Sequence, residues 1–304
     1  MGHPCFYILL EDGNPRYFSD RYGELDTGMR LLRGEDRYLA QFVNHANPRD
    51  SFGWIHGQLA FVLVDLDSKS VRFNGGEFCL LDPAHGRFLS DLLEPVWPGW
   101  NFRWASEAEQ IADIVGAECT VSPYEERVVA ERRENAQSRP WWSTIPEAPA
   151  NSIVSRRTDG DDISFCSARG VAESLVHVGP DLLREDAPWV DTMNYTEQQL
   201  LDLYKHEPLS LIHLDVPAKR LYYWQFGIVV RLKSVFRAQF PDWEIIAFAD
   251  SLEYEAVVGD GLSIPWKSAA ACWDALRNNY WGNINLEEQE AALIAASLLG
   301  LSVE

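Results

Sequence analysis

Short apolar runs alternate with helical patterns along the first third of the chain. Residues 6–10 form an apolar run that ends at turn-forming residues, which predicts a buried strand followed by a turn. Residues 35–45 carry apolar positions at helical spacing with acidic residues in the first turn, which favours a helix. Residues 59–65 and 71–73 lie on either side of a polar turn, the pattern of a β-hairpin.

The same succession occurs again in the second half of the chain. Residues 62–73 align without a gap on residues 212–223, and an aromatic-Pro-x-Trp element at 97–100 aligns on 240–243. A repeat of this length indicates a duplicated domain-sized unit and excludes a solenoid. We therefore expect an α+β fold made of two tandem copies of a similar unit of a small sheet plus helices, that is, an internal duplication, with extra C-terminal helices.

Four parts follow from this alignment. The first α+β repeat is expected at residues 1–120 and the second at 162–260, where residues 163–166 are the counterpart of the first strand. Residues 121–161 combine a charged helix candidate with a connector rich in proline and tryptophan. Residues 261–304 are expected to be an acidic helical extension that ends in two helices.

Residues that match between the copies are assigned to the fold. Asp65 and Asp215 end equivalent strands, where a carboxylate most often accepts hydrogen bonds from nearby backbone amides. Trp100 and Trp243 are expected in the two cores. The unmatched segments are therefore where functional residues are sought.

The charge of the chain is strongly acidic. Its formal net charge is −20, from 46 acidic and 26 basic residues, and the excess is greatest in the C-terminal part of the chain. Such a field repels phosphate and argues against direct nucleic-acid binding, whereas it attracts a basic partner. Solubility alone is the alternative explanation of this charge.

Cysteine usage and hydropathy favour a cytoplasmic protein. The five cysteines are scattered and include no C-x-x-C pair, which argues against a disulfide framework and a zinc site. No run of eighteen apolar residues exists, and the start lacks the pattern of a secretory signal. We expect buried, inert thiols, no membrane span, no metal and no cofactor.

The sequence carries no standard catalytic signature such as a phosphate-binding loop, a zinc-protease helix or a nucleophile elbow. The candidates for acid–base chemistry are His56, in an insert at residues 47–57, and Asp82 with His85, in a loop at residues 82–86. All three lie in segments of the first repeat that have no match in the second. The alternative is that they are ordinary polar loop residues.

Tryptophan and glutamate occur together near the C-terminus. This composition is typical of an apolar anchor with a charged rim at a protein interface. Core packing of the final helices is the alternative explanation of the tryptophans. The predicted partner-binding residues are Trp266, Trp273, Trp281, Glu287, Glu288 and Glu290.

The leading hypothesis is a cytoplasmic acidic binding or inhibitor protein, such as an immunity protein or antitoxin, that neutralises a basic protein partner such as a toxin. The alternative is an enzyme of the hydrolase type that uses a His–carboxylate pair of the first repeat. A third hypothesis is a structural or regulatory assembly protein.

Overall fold

The computed structural model shows an α+β protein with two sheets, and the chain divides into two compact units, Met1–Cys119 with Trp266–Glu304, and Thr120–Pro265. Each unit is described by itself. The structure describes residues 5–20, 23, 26–45, 47–49, 60–76, 78–79, 82–105, 108–116, 152–157, 163–168, 210–226, 232–248, 251–258, 264 and 266–302.

The first unit is built on a six-stranded sheet in the order β3-β2-β1-β4-β5-β6. Strands β1 and β4 are parallel, as are β5 and β6, while the other neighbours are antiparallel. The strands are β1 (Cys5–Glu11), β2 (Asn14–Asp20), β3 (Asn47–Arg49), β4 (Ala60–Asp65), β5 (Ser70–Asn74) and β6 (Asn101–Trp104).

Helices connect these strands and pack beside the sheet. Residues Ala60 to Val64 of the central strand β4 are all buried, which explains their continuous apolar run. The fully buried Trp97 donates its indole N–H to the carbonyl of Leu31 at 2.7 Å. The helical elements are α1 (Thr27–Arg30), a 3₁₀ turn (Leu31–Arg33), α2 (Glu35–His45), α3 (Pro83–Leu93) and α4 (Ala108–Val115).

The structure adds one strand to the first unit and corrects one expectation. Residues 14–20, which follow the first predicted turn, form a second strand, so the turn belongs to a hairpin. Asp82 and His85 do not lie in a loop: Asp82 precedes α3 and His85 lies within it. Pro83 occupies the first helical position, where its missing N–H costs nothing and its fixed φ suits a helix.

The second unit is built on a five-stranded sheet in the order β11-β10-β9-β7-β8, with β7 parallel to β9 and β10 parallel to β11. The strands are β7 (Ser152–Arg157), β8 (Ile163–Ala168), β9 (Ser210–Asp215), β10 (Arg220–Gln225) and β11 (Glu244–Phe248). The described helices of this unit are α5 (Leu232–Gln239) and α6 (Ser251–Val258).

Five strands follow the same order in both sheets, β2-β1-β4-β5-β6 in the first and β8-β7-β9-β10-β11 in the second. By this order β8 takes the place of β2, so residues 163–166 are not the counterpart of the first strand. That place belongs to β7, which lies in the segment expected as a connector. Its two serines and two arginines dilute the apolar signal of a central strand.

Similar turns close the central hairpin of each sheet, β4–β5 in the first unit and β9–β10 in the second. Asp65 Oδ1 accepts from the backbone N–H of Asp67 at 3.0 Å and of Ser68 at 3.1 Å, and Asp215 Oδ1 accepts from that of Ala218 at 3.1 Å. The turn-forming role predicted for Asp65 and Asp215 is confirmed.

The C-terminal segment, residues 266–302, belongs to the first unit. This segment is helical: α8 (Leu286–Leu298) begins with a capping box between Asn285 and Glu288, and Gly300 follows it with φ of 74°. Helix α7 packs on α3, and α8 packs on α3 and the 3₁₀ turn. The elements are α7 (Ala269–Ala275), a π-helical turn (Leu276–Tyr280), a 3₁₀ turn (Trp281–Asn283) and α8 (Leu286–Leu298).

Among the described residues, no helix is both long enough and apolar enough to cross a bilayer.

Candidate functional site

Trp273 of the predicted partner-binding set is a core residue of the first unit. Its side chain is 2% exposed and lies beside Phe88 of α3, with ring centroids 6.5 Å apart, and beside Trp281 at 5.6 Å. The indole N–H donates to the carbonyl of Ser302 at 2.8 Å. Trp273 therefore anchors the C-terminal segment within its own chain.

Glu288 is also used within the chain. It is 3% exposed, and its Oε1 accepts from Arg33 Nε at 2.7 Å. Its Oε2 accepts from the backbone N–H of Asn285 at 3.2 Å, which completes the capping box of α8. A buried carboxylate needs such partners, because desolvation of a lone charge is costly. Glu288 thus fixes α8 to the 3₁₀ turn.

The other members of the predicted set lie nearer the surface. Glu287 and Glu290 are exposed on α8, and Glu287 forms an exposed ion pair with Arg37 at 3.1 Å. Trp266 and Trp281 are half-buried, and the Arg87 guanidinium lies over the Trp266 ring, 4.4 Å from its centroid. The structure therefore places only part of the set where a partner could contact it.

An exposed apolar face of α8 was missed by the sequence analysis. Leu286, Ile294 and Leu298 are 76%, 64% and 69% exposed. Together with Glu290 they occupy positions four residues apart, which share one face of a helix. We call these five exposed residues the α8 stripe: Leu286, Glu287, Glu290, Ile294 and Leu298. The four-residue spacing of these side chains is visible in the sequence, but the sequence does not show which face of the helix is buried.

A groove begins at one end of this stripe. It has a volume of about 620 Å³ and lies within the first unit. The side chains that line it are Arg33, Ile284, Asn285, Leu286, Glu287 and Gln289. Arg33 and Glu287 make the groove charged, while Ile284 and Leu286 contribute apolar surface.

A second cluster brings together two of the predicted acid–base residues. His85 Nδ1 is 2.7 Å from the carbonyl of Phe78, and because a carbonyl only accepts, Nδ1 carries the proton. His85 Nε2 then faces Asp82, 3.6 Å from its Oδ2. His56, the third predicted residue, lies outside the described residues.

The surroundings of this pair limit its chemistry. Lys267 of the C-terminal segment forms an ion pair with the Asp82 carboxylate, and partial burial lowers the pKa of Lys267. The Phe78 ring stacks on the His85 ring with centroids 4.1 Å apart, and His85 is 6% exposed. In this tautomer Nε2 has no proton to donate to Asp82, so the two side chains lie side by side without the hydrogen bond that orients a catalytic histidine, and Lys267 links Asp82 to the C-terminal segment.

A buried Ser–His pair in the second unit was not predicted. Ser155 of β7 and His213 of β9 are direct neighbours in the sheet, and Ser155 Oγ lies 2.7 Å from His213 Nδ1. Serine beside histidine is the start of a nucleophilic site. Both residues are 1% exposed, so the hydrogen bond satisfies two buried polar groups of the sheet.

The described thiols are buried and free, as the sequence predicted. Cys5, Cys79 and Cys272 form no disulfide, and burial raises the pKa of the Cys5 thiol to about 12. A thiol with so high a pKa is a poor nucleophile at neutral pH. In the described ranges, no three His, Cys, Asp or Glu side chains are grouped closely enough to hold a metal ion.

Comparison with known protein families, curated proteins and solved structures finds no match for this chain. Among the described residues, two arrangements of side chains are candidates for function: the α8 stripe and the cluster of His85, Asp82 and Lys267.

Proposed function

We propose that this protein is a cytoplasmic acidic binding protein that neutralises a basic protein partner, in the manner of an immunity protein or antitoxin. The observation that carries the proposal is the net charge of −20. A field of this size raises the rate at which a cationic protein encounters the surface and disfavours nucleic acid as a ligand.

The α8 stripe supports the proposal because it combines acidic and apolar side chains on a helix that is held in place. Glu287 and Glu290 are exposed there, and the buried Trp273 and Glu288 fix the segment that carries them. Interfaces of high affinity commonly pair such a rigid apolar centre with a charged rim.

Affinity capture from the native host tests the proposal. We expect this chain to retain a strongly basic protein, with the product of the adjacent gene as the first candidate, and to release it between about 0.1 M and 0.5 M salt as charges are screened. Retention of acidic proteins alone, or of a partner at every salt concentration, would contradict the proposal.

Charge reversal refines the same experiment. The double change Glu287→Lys with Glu290→Lys should weaken binding of that partner by about tenfold or more. Glu288 is left unchanged, because a lysine at this position would repel Arg33 and detach α8 from the 3₁₀ turn. The matched control, Glu11→Lys with Glu244→Lys, alters net charge equally at other exposed acidic residues. Equal losses in both variants would show that only net charge matters.

A hydrolase is the second candidate, favoured by the 3.6 Å separation of His85 Nε2 and Asp82 Oδ2. A screen with simple esters and phosphate esters tests it. Hydrolysis that His85→Ala abolishes, with the fold intact by circular dichroism, would support an enzyme. The burial of His85 makes loss of stability the result we expect instead.

We also propose that the two units arose by duplication of one ancestral unit. The support is the shared strand order and an unusual turn residue at the same place in each. Lys69 and Lys219 have φ of 50° and 51°, and their carbonyls accept from Asn101 N and Glu244 N, each at 2.9 Å.

The duplication predicts matched effects of one substitution in both turns. Lys69→Gly and Lys219→Gly should each stabilise their own hairpin by roughly 0.5–1 kcal/mol, because glycine relieves the left-handed strain. Hydrogen exchange resolved to the two hairpins measures this. Lys233→Gly, in the first turn of helix α5, is the control and should stabilise nothing, with a cost below the roughly 1 kcal/mol of glycine in a helix interior. If only one of the two hairpins became more stable, the two turns would not be equivalent, and the proposed duplication would lose this support.

A further inference from the structure

We infer that the α8 stripe is the docking face for a basic amphipathic helix of the partner protein. The inference rests on the proposed function and adds to it the surface and the structural element that the surface binds.

The first step is the pattern of α8, which carries apolar side chains on both sides after Glu290. Ala292, Ala295 and Ala296 are buried, and their small side chains let the helix lie close to α3 and the 3₁₀ turn. The opposite side carries Ile294 and Leu298, both mostly exposed. A helix with apolar side chains on both sides is ordinarily buried on both sides. The exposed stripe is therefore a surface that suits contact with another apolar surface.

The second step is the shape of the stripe. Leu286, Ile294 and Leu298 follow one side of α8 over about 18 Å, at 1.5 Å for each residue. A ridge of this kind fits along a second helix whose apolar residues recur every three or four positions. The groove beside Leu286, of about 620 Å³, offers space for a side chain at one end of such a helix.

The third step is charge, which decides between a foreign helix and a second copy of this chain. Glu290 lies between the apolar side chains and, in the described part of the chain, makes no ion pair, whereas Glu287 beside them pairs with Arg37 at the surface. A second copy would bring these carboxylates together and add its own charge of −20. A helix with lysine or arginine next to its apolar face complements the stripe instead.

A peptide of leucine and lysine provides a defined probe. About 18 residues are long enough to cover the stripe, with leucine on one helical face and lysine elsewhere. A scrambled peptide of the same composition has the same charge but no apolar face. Calorimetry with the full-length protein should give tighter binding of the amphipathic peptide by at least tenfold, with slowed hydrogen exchange confined to α8.

Variants of the stripe locate the binding site. The triple change Leu286→Ser, Ile294→Ser and Leu298→Ser should lower the affinity for the amphipathic peptide about thirtyfold. A decrease of this size is expected when apolar side chains at the centre of an interface are lost. The control Leu252→Ser with Val257→Ser removes two apolar side chains that are 52% and 59% exposed in the second unit and should leave binding unchanged. The three residues are exposed, so the fold should persist, as circular dichroism would verify.

The outcomes separate the docking face from the proposed function. Equal binding of both peptides, or a triple variant that binds as the wild type does, would overturn the docking face and leave an acidic binding protein. Binding of neither peptide would overturn the docking face, while the salt-dependent capture decides the function independently. A dimer in sedimentation that the triple variant abolishes would show that a second copy occupies the stripe, which also overturns the inference.

Discussion

Trp273→Ala is expected to lower the free energy of unfolding of the first unit by about 3–5 kcal/mol, the usual cost of deleting a buried aromatic side chain. Trp273 is 2% exposed and lies beside Phe88 and Trp281, so its removal leaves a cavity that these rings fill only in part. The change also leaves the carbonyl of Ser302 without the indole donor. Urea denaturation followed by far-ultraviolet circular dichroism measures the loss.

Two further variants control this measurement. Ile294→Ala removes an exposed side chain of the same segment and should change stability by no more than about 0.5 kcal/mol. Trp273→Phe keeps an aromatic ring but loses the hydrogen bond to Ser302. Its loss of unfolding free energy should therefore lie between those of Ile294→Ala and Trp273→Ala. A loss for Trp273→Ala no greater than that for Ile294→Ala would contradict the anchoring role.

The fold was predictable where local signals and tertiary structure agree. Helix α2 occupies the residues that its helical spacing and acidic first turn predicted, Glu35–His45. The hairpin of β4 and β5 follows from two apolar runs around a turn, and Asp65 makes the backbone hydrogen bonds expected of it. Helix α8 lies in the C-terminal segment that was predicted to end in two helices, and the Asn285 side chain caps its first turn. Each signal acts within a few residues along the chain.

The errors arise where one residue type serves two kinds of structure. Pro83 was interpreted as part of a loop, yet proline is equally suited to the first turn of a helix, and α3 begins there. Strand β2 opens with Asn14 and Pro15, which are turn formers in most contexts. Pairing with β1 and β3 on its two sides makes this segment a strand. The pairing with β3 is tertiary, but the hairpin with β1 had a local signal that was missed: Asp12 and Gly13, with φ of 52° and 71°, form the two-residue Asp-Gly turn that is typical of β-hairpins.

The candidate site was only partly predictable for the same reason. Glu287, Glu288 and Glu290 look alike in the sequence, but helical geometry turns Glu288 towards Arg33, a residue far away along the chain. The capping spacing of Asn285 and Glu288 was a signal that Glu288 has an intramolecular role. Nothing comparable marked Trp273, whose burial depends on the docking of α7 against α3.

Glu288→Ala is expected to destabilise the first unit by about 3–5 kcal/mol, whereas its neighbour Glu287→Ala should cost less than about 1 kcal/mol. Both carboxylates pair with an arginine, Arg33 for Glu288 and Arg37 for Glu287. The side chains of Glu288 and Arg33 are 4% and 21% exposed, against 62% and 66% for Glu287 and Arg37, so only Glu288→Ala disrupts a mostly buried ion pair, and it removes half of the capping box of α8 as well.

Chemical denaturation of the two single variants gives this comparison. A double-mutant cycle with Arg33→Ala then measures the coupling energy between Arg33 and Glu288. A coupling energy near zero would contradict the proposal that this ion pair holds α8 on the 3₁₀ turn. The same two variants separate stability from binding. Glu287→Ala should weaken association with a basic partner while the fold is unchanged, because Glu287 lies on the stripe and contributes little to the fold. Glu288→Ala should weaken association only as far as α8 leaves its place on the first unit.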